Sequence, residues 1–189
     1  MSILRIDSSI KGDASVTRKL TGMICEKLGG DVVTRDTSNL SLIDGAWLGA
    51  AYTPAENRTA EQKELLKVSD ELIAEIKAAD EIVIGMPLYN FGVTGPLKAW
   101  VDMICRVGET FRYTEAGPEG LVNPKRVFVA YASGGVPQGS GYDLASSYLK
   151  QVLAFIGLTD VTFISAEGVA MGEAEALAKA EEQIKGLAA

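Results

Sequence analysis

Ser8, Ser9, Ser15 and Thr17 place hydroxyls close together after the apolar run Ile3-Leu4-Arg5-Ile6-Asp7, with Lys11, Gly12 and Arg18 among them. Such hydroxyls, with the free N–H groups and positive dipole end of a starting helix, donate to an anion. Lys11 or Arg18 adds charge. The spacing is neither Gly-x-Gly-x-x-Gly nor a Walker loop. The glycines that let backbone approach a pyrophosphate are missing, so a single monophosphate matches better. The simpler alternative is that Ser15 only caps the helix.

A second segment, Pro87-Leu88-Tyr89-Asn90-Phe91, follows the β-branched run Glu81-Ile82-Val83-Ile84-Gly85-Met86. That run reads as a buried parallel strand. Ligands of open parallel sheets bind beyond the carboxyl ends of the strands. Flat apolar surface beside directed hydrogen bonds suits a planar heterocycle. A hairpin-like turn with incidental aromatics is the alternative. The third segment, Ala132-Ser133-Gly134-Gly135-Val136-Pro137, follows another apolar run. Its paired glycines let backbone N–H groups come close to a ligand edge. Such donors suit the N1 and O2 edge of a flavin, which gains electron density on reduction. In a fourth, Thr110 to Leu121, Phe111 reads as a buried anchor, while Tyr113 is either an anchor or the wall of a substrate pocket.

The elements that must position these segments alternate between strand-like and helical runs, the pattern of a parallel α/β sheet. Strands are expected at 3–7, 31–35, 81–86, 126–132 and 160–165. Helices are expected from Ser15, over 59–79, from Thr94 and Pro96, over 142–156 and over 173–187. In the 59–79 helix, Leu65, Val68, Leu72 and Ile76 form the apolar stripe. Leu97, Trp100, Val101 and Ile104 share a face that packs either within the subunit or across a dimer interface. The segment 36–57 reads as a loop with a short helix. Five strands with helices between them suggest the doubly wound order 2-1-3-4-5, in one domain over 1–189.

Composition narrows the chemistry. The 189 residues carry a net charge of −7, which argues against affinity for nucleic acid or anionic membranes. No apolar run is long enough to span a bilayer, and the opening residues lack the regions of a signal peptide. Cys25 and Cys105 read as unpaired thiols of a cytoplasmic protein. There is no histidine, so Ser-His-Asp and Cys-His catalysis, histidine-ligated zinc and histidine acid–base chemistry are excluded. No metal site is expected. Reactivity must come from elsewhere, and a redox cofactor is one source.

Taken together, these segments resemble the FMN-dependent NADH-azoreductase/NADH:quinone oxidoreductase family over nearly the whole chain. The Tyr89-Asn90-Phe91 loop and Phe111-Arg112-Tyr113 carry the resemblance most specifically. The resemblance implies a flavodoxin-like three-layer α/β sandwich that forms a homodimer with one FMN per subunit. By position, the phosphate-binding residues fall on Ser9, Ser15, Val16 and Thr17. The ring-binding residues fall on Pro87, Leu88, Tyr89, Asn90 and Phe91, with Ser133, Gly134 and Gly135 at the other edge. Tyr113 and Phe155 match aromatics on the substrate side. The implied reaction is ping-pong reduction of quinones and aromatic azo compounds by NADH or NADPH, with no obligatory catalytic side chain. A flavodoxin-type electron carrier without substrate turnover is the alternative.

Overall fold

In the computed structural model, which describes residues 1–188, β-branched runs form strands and the periodic segments between them form helices. In chain order these are β1 (Ser2–Asp7), α1 (Val16–Leu28), β2 (Asp31–Asp36), α2 (Gly45–Tyr52), α3 (Ala60–Ala78), β3 (Glu81–Pro87), α4 (Gly95–Ile104) and β4 (Phe111–Thr114). The chain continues through β5 (Gly117–Gly120), β6 (Arg126–Ala132), α5 (Leu144–Ile156), β7 (Val161–Ala166) and α6 (Val169–Lys185).

Five strands form a parallel sheet in the order β2-β1-β3-β6-β7, and β4 and β5 pair as a separate antiparallel hairpin. The expected order 2-1-3-4-5 counted only five strands in the chain. The hairpin shifts the numbering of the last two sheet strands, and its second strand is not evident in the sequence because Gly117-Pro118-Glu119-Gly120 carries turn residues and little β propensity.

Alternate side chains of the strands serve opposite faces. Leu4, Ile6, Ile82 and Ile84 pack on one side with Leu72 and Ile76 of α3, Trp100 of α4 and Leu149 of α5. Ile3, Val83 and Phe128 pack on the other with Leu20 and Ile24 of α1 and Ala176 and Ala180 of α6. The sheet is therefore the middle of three layers. Leu97, Trp100, Val101 and Ile104 are all buried in the chain's own core, so that face of α4 is not open to a second subunit.

Two helices depart from the expected pattern. In α3 the inward face holds Leu66, Ser69, Leu72, Ile73 and Ile76, while Leu65 and Val68 are exposed. The inward face contains a polar residue: Ser69 Oγ donates to the Met103 carbonyl at 2.6 Å and accepts from Arg106 Nη1 at 2.9 Å. A count of apolar residues alone therefore picks the wrong stripe in the first half of the helix. α6 begins at Val169 rather than Glu173, but Gly172 breaks it with extended backbone (φ −177°, ψ 91°), and Glu173 opens the longer part.

Candidate functional site

Loops at the carboxyl ends of β1, β3 and β6 border a cleft of about 330 Å³, and the start of α6 forms a further wall. Ser9, Lys11, Ser15, Val16 and Thr17 line it from the first loop, Pro87, Leu88 and Tyr89 from the second, and Ala132, Ser133 and Gly134 from the third. Val169, Ala170 and Glu173 complete the lining.

At the α1 end, Ser15 takes extended backbone and caps the helix, its Oγ accepting from Arg18 N at 3.2 Å. The same Oγ lies 3.0 Å from Thr17 Oγ1 in a shared hydrogen bond. Capping and lining the cleft are thus compatible for Ser15. A helix leaves its first N–H groups without intrahelical partners, so those of Val16 and Thr17 are free to serve an anion. Ser9, Ser15 and Thr17 are all buried. Lys11 is the cation on the lining. Arg18 is committed elsewhere: its Nη2 donates to the Ser9 carbonyl at 2.9 Å and to Asp36 at 2.6 Å, which fixes the loop. Ser8 Oγ donates to the Gly85 carbonyl at 2.6 Å, and Thr94 Oγ1 donates to the Ser8 carbonyl at 3.2 Å. These bonds tie the first loop to β3 and α4.

After β3, Leu88 N donates to the Ala132 carbonyl at 2.8 Å, which fastens this loop to the end of β6. Tyr89 and Gly92 then exchange backbone hydrogen bonds of 3.1 and 3.0 Å around Asn90 (φ 50°) and Phe91 (φ 67°). Positive φ at both central residues marks a tight two-residue reversal. The loop is therefore both hairpin-like and part of the cleft. Positive φ on two residues other than glycine is local strain, of a kind that collects at ligand sites. Asn90 and Phe91 do not line the cleft. Phe91 is half exposed, and its ring lies 6.2 Å from that of Tyr142.

The β6 loop is knotted from within. Tyr131 Oη, at 2.9 Å, and Ser133 Oγ, at 2.5 Å, both donate to the Val136 carbonyl. Burial pushes the Tyr131 phenol up to about 12, so it stays a donor at neutral pH. Ser133 N donates to the Ala166 carbonyl at 3.1 Å. Both its N–H and its hydroxyl are thereby engaged within the protein. Gly134 lines the cleft, whereas Gly135 borders a neighbouring hollow with Pro137 and Glu167.

Tyr113 and Phe155 gather around Phe111 rather than on the lining. The Phe111 ring centroid is 5.6 Å from Tyr113, edge-on, and 4.3 Å from Phe155. Phe111 is the buried anchor and Tyr113 is exposed. The α6 wall was not foreseen. Val169 N donates to the Ser133 carbonyl at 3.0 Å and Ala170 N to the Gly134 carbonyl at 3.2 Å. The signal available was Gly168 and Gly172 just beyond the last strand, where a doubly wound sheet brings its carboxyl ends together.

The lining offers hydroxyl and amide donors at one end and apolar and aromatic surface at the other. It holds no histidine or cysteine, so it can seat and orient a ligand while the reactive group comes with that ligand. The family model for the flavodoxin-like fold matches residues 1–187. The FMN-dependent NADH:quinone oxidoreductase 1 of Jannaschia sp. (strain CCS1) is 53% identical over 188 residues, covering 99% of this chain and 98% of that protein. The FMN-dependent NADH:quinone oxidoreductase of Cereibacter sphaeroides (strain KD131) is 50% identical, covering 100% of this chain and 99% of its own. Among solved structures, the FMN-dependent NADH-azoreductase from Bacillus anthracis (strain Ames Ancestor), in complex with FMN, superposes with a TM-score of 0.85. It is 26% identical, with 98% and 96% of the two chains covered. The chain belongs to the FMN-dependent NADH:quinone oxidoreductase family of flavodoxin-like proteins.

Proposed function

We propose that this chain is an FMN-dependent oxidoreductase that uses NADH or NADPH to reduce quinones and aromatic azo compounds, with FMN held in the cleft at the carboxyl edge of the sheet. The observation that carries this reading is the joining of two chemistries in one cleft: Ser9, Ser15, Val16 and Thr17 at one end, Leu88, Tyr89 and Gly134 at the other. The donor set fits the cofactor. A phosphate monoester needs several donors for its three terminal oxygens, and it meets hydroxyls, first-turn N–H groups and Lys11. A volume of about 330 Å³ is within the usual range for small-molecule sites.

When bound, FMN supplies two-electron hydride chemistry that no side chain on the lining can perform. The protein's share is position and electrostatics. Ser15 and Thr17 fix the phosphate end. Pro87, Leu88 and Tyr89 give the ring a flat apolar wall, and the Leu88–Ala132 bond keeps that wall against the β6 loop. Asn90, Phe91 and Gly135 act from just behind the lining by shaping the two loops, and Ser133, on the lining, braces the β6 loop through the Val136 carbonyl. Donor and acceptor take the same place in turn, consistent with the absence of a second dinucleotide motif. Tyr113 and Phe155, joined through Phe111, form the substrate wall.

We read residues 1–189 as one flavodoxin-like domain that works as a homodimer in the cytoplasm. Phe91, Tyr142 and Leu144 are 51, 70 and 61% exposed, and Leu144 N donates to the Phe91 carbonyl at 3.2 Å, so these apolar groups form a patch suited to a second copy. The free thiols of Cys25 and Cys105 fit a reducing compartment.

The test is the visible spectrum of the purified protein followed by NADH oxidation with benzoquinone. A yellow protein that turns over many equivalents of NADH supports the reading. A protein that stays colourless with added FMN overturns it, and a yellow protein with no turnover is a carrier instead.

A further inference from the structure

The geometry points to the open edge at β2 as a contact between two copies of this chain, which pair β2 to β2, antiparallel, about a twofold axis at Val33. The sheet has two edges, and they are not alike. At β7, Val127 N donates to the Asp160 carbonyl at 2.9 Å and Ser133 N to the Ala166 carbonyl at 3.1 Å. Alternate residues turn to opposite sides, so the backbone groups of Val161, Phe163 and Ser165 face outward. Gln183 of α6 meets them there: Ser165 N donates to Gln183 Oε1 at 3.0 Å, and Gln183 Nε2 donates to the Ser165 carbonyl at 3.1 Å. The side-chain amide takes the place that an added strand would need. At β2, Asp31 N donates to the Met1 carbonyl at 3.0 Å and Thr37 N to the Asp7 carbonyl at 2.9 Å, so Val32 and Thr34 face outward. Among the described residues, no hydrogen bond reaches the N–H and C=O groups of these two. The strand is open on both faces as well, with Val32 and Val33 43 and 53% exposed.

The residues of β2 select a second copy as the occupant. A twofold axis at Val33 sets Val32 opposite Thr34 of the second copy, and Thr34 opposite its Val32. Both positions face outward, so each pair can exchange two backbone hydrogen bonds. The same axis sets Asp31 opposite Arg35 of the second copy, and does so twice, as a self-complementary interface must. Opposite charges directly across a strand pair stabilise it, and like charges oppose it. Moving the axis to Val32 or to Thr34 sets every charged residue of the strand opposite an uncharged one, so the charges fix the register. Arg35 is steadied on its own side by Glu75 of α3, its Nε donating at 3.1 Å. Val33 borders an apolar hollow of about 130 Å³ with Leu4, Ala78 and Ala79, so the two valines at the axis meet beside apolar surface. No residue of β2 is on the cleft lining, and the contact is independent of the cofactor.

Sedimentation velocity over a wide concentration range, on wild type, Asp31→Lys and Thr34→Pro, tests this. Wild type should show a concentration-dependent association step. Asp31→Lys should weaken that step by about tenfold, because two attracting pairs become two repelling ones. Thr34→Pro removes an outward donor without touching the β1 ladder, and it should abolish the step. Asp31 is exposed, so Asp31→Lys keeps the fold, which circular dichroism checks. Hydrogen exchange of the wild type should slow at Val32 and Thr34 as concentration rises. Three proteins that sediment alike overturn the inference, as does association that leaves those two amides unprotected.

Discussion

At the scale of single residues, Ser15 carries two roles that separate by comparison with another cap. Ser15→Ala is expected to cost about 1 kcal/mol of stability through loss of the α1 cap. It should also weaken FMN binding by about tenfold, because a hydrogen bond to a charged group is lost. Thr59 caps α3 with a reciprocal bond to Gln62, and neither residue is on the lining. Thr59→Ala should cost a similar amount of stability and leave the FMN affinity unchanged. Urea midpoints and flavin titrations of the two variants check the pair, and equal flavin affinities would remove Ser15 from the phosphate seat. Asn90, at φ 50°, makes a second test. Asn90→Gly should hold stability within about 0.5 kcal/mol, whereas the β-branched Asn90→Val should lose about 1–2 kcal/mol. At this scale the sequence shows Ser9, Ser15, Val16, Thr17, Leu88 and Tyr89 as a set, since residue type and strand position announce them. It does not show that the chain reverses after Tyr89 and carries Asn90 and Phe91 off the lining, because asparagine adopts positive φ readily but phenylalanine gives no sign of it. Nor does it show that the Val136 carbonyl takes up the Ser133 hydroxyl.

Among the elements, the docking of the β4–β5 hairpin turns on a pair of glycines. A Cβ on Gly120 would lie 2.2 Å from Gly157 N and 2.4 Å from the Ile156 carbonyl carbon, so the hairpin lies directly on the end of α5. Gly157 has φ 107° and closes that helix. Gly120→Ala must push backbone against backbone, and a loss of about 1–3 kcal/mol is expected. Hydrogen exchange should rise in residues 111–120 while the central strands stay protected. Unchanged exchange there would mean that the hairpin docks elsewhere. The helices were legible where period and caps agree, as in α1 and α5. They were misread where tertiary contacts decide. Ser69 sits in the buried face of α3 because Met103 and Arg106 satisfy it, which no pattern of apolar residues reveals. The hairpin stayed hidden because its second strand is built from glycine, proline and glutamate.

For the whole molecule, the buried acids set the alkaline limit. Burial pushes the Cys25 and Cys105 thiols from 9.0 to about 11, and the Tyr131 and Tyr148 phenols from 10.0 to about 12. The native state keeps these protons while the unfolded chain releases them. Stability is therefore full below about pH 9 and falls as pH rises toward 11 and 12. Urea midpoints should drop between pH 8 and 10.5, and Cys25→Ala should flatten that slope; a constant midpoint would contradict the burial of these groups. The same neutral thiols should react slowly with iodoacetamide in the native protein at pH 7.5. The parallel sheet and its flanking helices were readable because strand and helix signals alternate without a break. The α6 wall was not, because it comes from the last strand and reaches the cleft only once the sheet has formed. That cleft is the centre of the account. The most direct measurement is a crystal structure with FMN added: the phosphate should accept from Val16 N, Thr17 N and the Ser15 hydroxyl, with the ring along Leu88 and Tyr89 and one edge at Gly134. FMN bound on another surface, or absent from crystals soaked at saturating concentration, would contradict it.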